Sequence, residues 1–275
     1  MGSVLAGTVE PHEVIVVDQS SDDRTREAVQ GTGSGRVRWV HQARRSTSLA
    51  RNLAVELATT EYVALLDDDG DVGPTWLSDI SAALDQLGHP DLLFGAIVGV
   101  EAENRRNIPV SVHSIPAPTI WGRSSHPARP GFGGHVIVRR SSFVESGGFD
   151  ARLGPGSPFF GAEDIDLNYR FLRSGRIVAS TPQVEMTHLQ WREQDSLPRL
   201  MYGYNFGHSG FCAKHLRRGD ARVLRLVGRQ AADDAKMLAS AVRRRSRLRA
   251  RVAMWRSAGT VHGLLAGWRE FGPPR

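Results

Sequence analysis

The chain has 275 residues, 40% of them apolar and 23% charged, enough for one large globular core or two small ones and too apolar for a disordered chain. Its single cysteine, Cys212, excludes an internal disulfide and is expected of a reducing compartment. No run approaches the ~18 apolar residues of a spanning helix, and no basic segment leads an apolar one as in a signal peptide. The net charge of +6 hides an asymmetry: residues 1–200 hold 19 basic and 25 acidic side chains, a net of −6, and residues 201–275 hold 16 and 4, a net of +12. An acidic body with a basic extension suggests two jobs, or a body plus a docking surface.

In chain order, residues 12–18 form an apolar run ending in Asp18 and read as a strand. Turn chemistry follows at Gln19-Ser20-Ser21-Asp22-Asp23, then a helix over 24–30. The glycine run 31–35 lies between a helix and a strand, the wrong context for a dinucleotide loop, and reads as a linker. Residues 37–41 are a strand. Residues 46–58 read as a helix with Leu49, Leu53 and Leu57 on its apolar face, and 61–66 as a strand. Strands alternating with helices argue for a mostly parallel sheet covered on both sides. A helix over 74–87 and a strand over 91–101 continue the series. Residues 104–130, rich in Pro, Ser and Gly, read as a long irregular loop. Then come a strand over 134–139, a short helix over 141–146, a glycine loop over 154–161, a helix over 162–174 capped by Gly175, and strands over 177–179 and 184–187.

From about residue 196 the pattern is helical. Leu224, Val227, Ala231, Ala235, Leu238 and Val242 make one apolar stripe, accompanied by Arg225, Arg229, Lys236 and Arg243-Arg244-Arg245. Trp255, Leu264, Leu265, Trp268 and Phe271 mark the last segment. Such helices either pack on the body with a solvated basic face or lie on an anionic membrane surface; both readings stay open. The expected domains are an α/β body over 1–200 and a basic helical extension over 201–275.

Acids recur at strand and helix ends: Asp18, Asp67-Asp68-Asp69, and Glu163-Asp164. Each is ordinary by itself, as a turn former or a partner of the helix dipole. Asp67-Asp68-Asp69 reads either as a solvated turn or as carboxylates gathered for a divalent cation such as Mg2+ or Mn2+. Strand ends are where open α/β sheets bind ligands.

Four stretches in order carry a family resemblance. Val14-Ile15-Val16-Val17-Asp18-Gln19-Ser20-Ser21-Asp22-Asp23-Arg24-Thr25 resembles "VIVVDDGSxDxT". Ala50-Arg51-Asn52 followed by Leu65-Leu66-Asp67-Asp68-Asp69 resembles "ARN…fLDDD". Gly147-Gly148-Phe149-Asp150 resembles "GGFD". Gly161-Ala162-Glu163-Asp164-Ile165-Asp166-Leu167 with Tyr169-Arg170 resembles "GxEDxDLxxR". Over residues 5–200 the chain resembles a family 2 glycosyltransferase of the GT-A fold.

The resemblance implies roles. Asp164 is the expected catalytic base. Asp18, Asp67, Asp68 and Glu163 join the nucleotide-sugar set, with Arg51 either placing the diphosphate or serving the core edge. Asp69, with Asp67 and His188, is the expected metal set for Mn2+ or Mg2+, although a strand histidine such as His188 is also a common structural hydrogen bonder. The implied partners are a nucleotide-sugar donor and a glycan or lipid-linked acceptor, without nucleic acid. The implied place is the cytoplasm, peripheral on the inner face of the cell membrane. Gln190-Trp191-Arg192 does not match the "QxxRW" of processive synthases, so single addition is expected. The family's first strand is not found ahead of 3–8, which resembles the end of the following helix; two sheet edges are therefore expected to lack a neighbour. Gln19 stands where a second acid is common, so one polar anchor fewer is expected there. The competing readings are a nucleotidyltransferase, for which a glycine-rich basic loop is lacking, and a non-catalytic protein, including a truncated relic or a nucleic-acid-binding module.

Overall fold

Period-two alternation builds the central sheet. In the computed structural model, which describes residues 1–101, 111–190 and 192–272, Leu92, Phe94, Val136, Val138 and Val178 face one core with Val55, Phe143, Phe149, Leu167, Phe171 and Leu172. The residues between them, Leu93, Ile137 and Ala179, face a second core with Trp76, Ile80, Ala83, Leu84 and Leu87. A strand buried on both faces reads as continuously apolar, which is why these segments were legible as strands.

The elements are α1 (Gly2–Leu5), β1 (Val14–Asp18), α2 (Arg24–Gly31), β2 (Val37–His41), α3 (Thr47–Leu57), β3 (Tyr62–Leu66), β4 (Gly70–Val72), α4 (Trp76–Gln86), β5 (Leu92–Glu101), β6 (Thr119–Trp121), β7 (His135–Arg139), α5 (Arg140–Glu145), α6 (Glu163–Ser174), β8 (Val178–Gln190), α7 (Leu197–Arg217), α8 (Leu224–Arg243) and α9 (Arg247–Glu270). They form two compact units, Met1–Asp150 with Asp164–Trp191, and Ala151–Glu163 with Arg192–Arg275.

In the first unit, β1 pairs β2 in parallel as a two-stranded sheet, and six strands form a second sheet along the order β3-β7-β5-β8-β4, with β6 on β8. The α/β architecture is as expected, but the sheet is mixed. Among the described residues β1·β2 and β5·β8 are parallel, whereas β3·β7, β5·β7, β4·β8 and β6·β8 are antiparallel. β3 and β4, though joined by the tight Asp67–Asp69 turn, are not paired with each other: β3 runs beside β7 and β4 beside β8, both antiparallel. Among the described residues β1 has only β2 beside it and β3 only β7, so one edge of each strand has no strand neighbour.

Three sequence expectations change. The two strands expected over 177–187 are one strand, β8, whose pairing with β5 shifts between Gly95 and Ala96; that bulge lets a single strand serve two registers. The expected loop over 104–130 contains β6, and His113 bridges Ile97; residues 102–110 lie outside the described residues. In α3, the buried positions are Ser48, Arg51 and Val55, while Leu49, Leu53 and Leu57 are only half-buried; the helix turns Arg51 inward, where it meets Asp67.

His135, on β7, has no exposed surface. Its Nδ1 lies 3.1 Å from the Ala96 carbonyl and its Nε2 accepts from Trp76 Nε1 at 3.0 Å. A carbonyl only accepts, so the ring is neutral with the proton on Nδ1. A side chain on Gly95 would overlap this ring. Burial lowers the His135 pKa to about 4.

In the second unit, α9 lies along α7. Gly259 and Gly263 let the backbones meet: a Cβ on Gly259 would come within 2.5 Å of the Tyr202 carbonyl, and one on Gly263 would overlap that of Phe206. Buried polar groups join three helices. Asp234 of α8 accepts from Arg256 Nε at 2.7 Å, Gln230 Nε2 at 3.1 Å and Thr260 Oγ1 at 3.3 Å, and Gln230 also donates to Asn205 of α7. No helix among the described residues is long and apolar enough to cross a membrane.

Because the unfolded His135 protonates near 6.5 and the folded one near 4, the unfolded state takes up the extra proton in that window and stability falls as pH drops through it. The loss expected from this residue between pH 7 and pH 5 is about 2 kcal/mol. Urea midpoints across pH check this: His135→Phe, though less stable at pH 7, shows a correspondingly flatter pH dependence.

Candidate active site

Arg51 is the cation on which the site is built. It projects from α3 with its side chain only 10% exposed, and its Nη2 donates to Asp67 Oδ1 at 2.6 Å. Its guanidinium stacks over the Phe149 ring, 5.6 Å from the centroid. Asp67 sits just past β3, where its amide donates to the Gly134 carbonyl at 3.1 Å. Two glycines open the space. A Cβ on Gly134 would overlap Asp67 Oδ2, and one on Gly133 would lie 2.6 Å from Arg51 Nη1.

Asp164 borders the same place. The Gly133 amide donates to its Oδ2 at 3.4 Å and the Ile165 amide to its Oδ1 at 2.7 Å. Desolvation raises its pKa above the usual aspartate value, opposed by these amides and by the charge of Arg51. A carboxyl that holds a proton more tightly is a stronger base. The residue two places earlier, Ala162, has φ of 71°, a left-handed conformation that costs a non-glycine residue of order 1 kcal/mol or more.

Asp69 points elsewhere. Its Oδ2 lies 3.3 Å from His188 Nε2. The β4·β8 register sets this, since Gly70 pairs with His188. Asp68, between them, is exposed. Among the described residues no group of three His, Cys, Asp or Glu side chains converges as a complete metal cage. A carboxylate and an imidazole facing one another suit Mn2+ or Mg2+, which keep water and phosphate oxygens in their remaining octahedral positions. The residues present therefore fit an ion completed by a diphosphate, with Asp69 and His188 as its protein donors. Asp67, also expected in the metal set, accepts from Arg51 through its Oδ1.

Asp18, at the end of β1, is 5% exposed. Trp39 Nε1 donates to its Oδ2 at 3.0 Å and the Ser20 amide to its Oδ1 at 2.8 Å. Burial works against its charge, but bonds from Ser20 and Trp39 and the nearby His41 outweigh it and hold the carboxyl below the usual range. Beside it lies a cavity of about 380 Å3, lined by Gln19, Ser20, Asp22, Trp39, His41 and Arg45 among others. Gln19 is not simply a lost anchor: it donates to the Arg44 and Ser46 carbonyls at 2.9 and 3.0 Å and accepts from the Ser46 amide at 3.2 Å. Ser46 in turn caps α3, accepting from the Leu49 amide.

Several motif residues are scaffold. Asn52 makes a reciprocal pair with the Phe149 backbone, both bonds 2.9 Å. Asp166, with no exposed surface, pairs with Arg170 Nε at 2.8 Å, and Arg170 Nη1 donates to the Ser146 carbonyl at 2.7 Å. These contacts tie α3 and α6 to the glycine turn after α5. Glu163, expected in the donor set, is buried in the first turn of α6 and groups with the other compact unit. Sequence reasoning missed Trp39, Gly133 and Gly134, because their roles are contacts across the fold; an aromatic two residues from the end of the strand beside Asp18 was the one available signal.

The model of a family described as Glycosyl transferase family 2 matches residues 1–147. An uncharacterised glycosyltransferase of Escherichia coli K12, YibD, is 36% identical over 77 residues, 27% of this chain and 22% of that protein. The matched stretch thus spans about a fifth of that relative. A glucosyl-dolichyl phosphate glucuronosyltransferase of Haloferax volcanii is 26% identical over 241 residues, 84% of this chain and 73% of that one. Among solved structures, S. aureus TarS 1-349 in complex with UDP-GlcNAc superposes with a TM-score of 0.53 at 15% identity, over 98% of this chain and 86% of that one. GalNAc-T7 with UDP, GalNAc and Mn2+ gives 0.52 at 17%, over 68% and 39%. At such identities the likeness concerns the fold, a GT-A-type α/β architecture.

Gly134→Ala is expected to force Asp67 off Arg51 and to cost about 1–3 kcal/mol of stability by overpacking. A thermal-denaturation comparison with Gly122→Ala, whose Cβ would meet nothing within 4 Å, separates this clash from a general glycine effect.

Proposed function

The chain belongs to glycosyl transferase family 2, and we propose that it transfers one sugar, with inversion, from a nucleotide-sugar donor to a hydroxyl of a glycan or lipid-linked acceptor. The observation that carries this reading is the placing of Asp164, a carboxyl with raised proton affinity, at the Gly133 amide beside the Arg51–Asp67 pair. It supplies a base next to a cationic anchor.

In this reading Asp18 and Trp39 hold the nucleoside, and the adjacent cavity receives its base. Asp67, oriented by Arg51, contacts the ribose or diphosphate. Asp68 and Glu163 complete the donor set as the motif implies. Asp164 accepts the proton of the acceptor hydroxyl as its oxygen bonds to the anomeric carbon, while the bond from that carbon to the diphosphate oxygen breaks and the nucleoside diphosphate leaves. Attack opposite the leaving group inverts the centre. Mn2+ or Mg2+ bound at Asp69 and His188 would neutralise the charge that the leaving diphosphate gains. TarS with UDP-GlcNAc and GalNAc-T7 with UDP and Mn2+ support uridine diphosphate sugars and manganese as the first combination to assay. A lipid-linked acceptor fits a protein held in the cytoplasm at the inner face of the membrane.

Asp164→Asn is expected to keep calorimetric nucleoside diphosphate binding and lose transfer by 10²–10⁴-fold; lost binding would contradict its role as base. The acid limb of the wild-type rate profile should lie above the ordinary aspartate pKa, since only the carboxylate accepts a proton. Asp69→Asn should abolish manganese-dependent donor hydrolysis, and full hydrolysis in that variant would refute the metal assignment.

A further inference from the structure

Residues 235–269 carry nine basic side chains and no acid, and they include most of the strongly exposed apolar surface of the second unit. The glycines of α9 face α7. On the other side of α9, Met254, Val261, Leu265 and Trp268 are 67%, 55%, 56% and 53% exposed. Spacings of seven, four and three residues place them on one helical stripe. Arg251 and Arg269, both exposed, lie three and four residues from its members and run along one edge of it.

On α8 the expected apolar stripe exists but points outward. Leu224, Leu238 and Val242 are exposed, with Ala231 and Ala235, while Leu226, Asp234 and Ala241 are buried. The Arg243-Arg244-Arg245 cluster and Arg247 then join the two helices.

We infer that the α8–α9 hairpin is a docking surface for an anionic lipid bilayer, with the two stripes entering the acyl boundary and the arginines meeting lipid phosphates. This deepens the membrane placement proposed above. The chemistry selects this occupant. An apolar stripe edged by arginine, with tryptophan at its end, matches a surface that is apolar below and anionic above. Nucleic acid would use the arginines but leave Met254, Val261 and Leu265 in water. A symmetric second copy would set arginine against arginine.

The test is co-sedimentation of the full chain with vesicles of phosphatidylcholine alone and with 30% phosphatidylglycerol. Pelleting is expected only with the anionic vesicles, and it weakens in 0.5 M salt. Val261→Asp with Leu265→Asp, and separately Arg243, Arg244 and Arg245→Gln, should each reduce partitioning at least tenfold with unchanged circular dichroism. Undiminished pelleting of either variant, or absence of pelleting by the wild type, overturns the inference. So does a dimer in light scattering that the aspartate pair dissociates while lipid stays unbound. Donor hydrolysis in the same samples separates the readings: pelleting without hydrolysis refutes the transferase proposal alone, and hydrolysis without pelleting refutes this one alone.

Discussion

A nearly buried guanidinium must find an anion, and that requirement organises the candidate site. Arg51 sits on a helix whose start is capped by Ser46, itself held by Gln19. Its flat face lies on Phe149 and its edge on Asp67. Desolvating such a charge without a partner is costly, so Asp67, the α3 rotation and the side-chain-free Gly133-Gly134 segment form one interdependent set. The same positive charge opposes the desolvation that raises the Asp164 pKa. One residue thus couples the helix, the acidic turn and the proposed base.

The recurring acids divide by what holds them. Asp18 is held by Trp39 and Ser20, Asp67 by Arg51, Asp166 by Arg170, and Asp69 faces His188. Asp166 is closed into the protein and holds Arg170, which fastens α6 to the turn after α5. Asp67 and Asp69 remain about a third exposed, and so stay open to solvent and to the ligand and cation proposed for them. A motif therefore mixes anchoring residues with chemical ones, and exposure together with the partner tells them apart.

In the helical unit a polar network overrules hydrophobic periodicity. The continuous apolar stripe of α8 would ordinarily seek the core. Asp234 and Gln230 are instead drawn inward by Arg256, Thr260 and Asn205. An unsatisfied buried carboxylate costs more than several exposed methyl groups. Helix rotation follows the charge, and the stripe is left outside.

Local chemistry sufficed for much of this protein. Apolar runs such as 92–97 and 136–138 announced strands, Gly175 closed α6, and four ordered stretches carried the family resemblance, because strand burial, capping and motif spacing are written in neighbouring residues. The acids Asp18, Asp67, Asp69 and Asp164 could be named in the same way. Which of them meet which could not be. That Arg51 pairs with Asp67 and not with a carboxylate of its own helix, that His188 reaches Asp69, that Trp39 holds Asp18 and that the sheet is mixed all depend on strand register and helix rotation. Those are settled by contacts between residues far apart in the chain, where a buried charge has to find its partner.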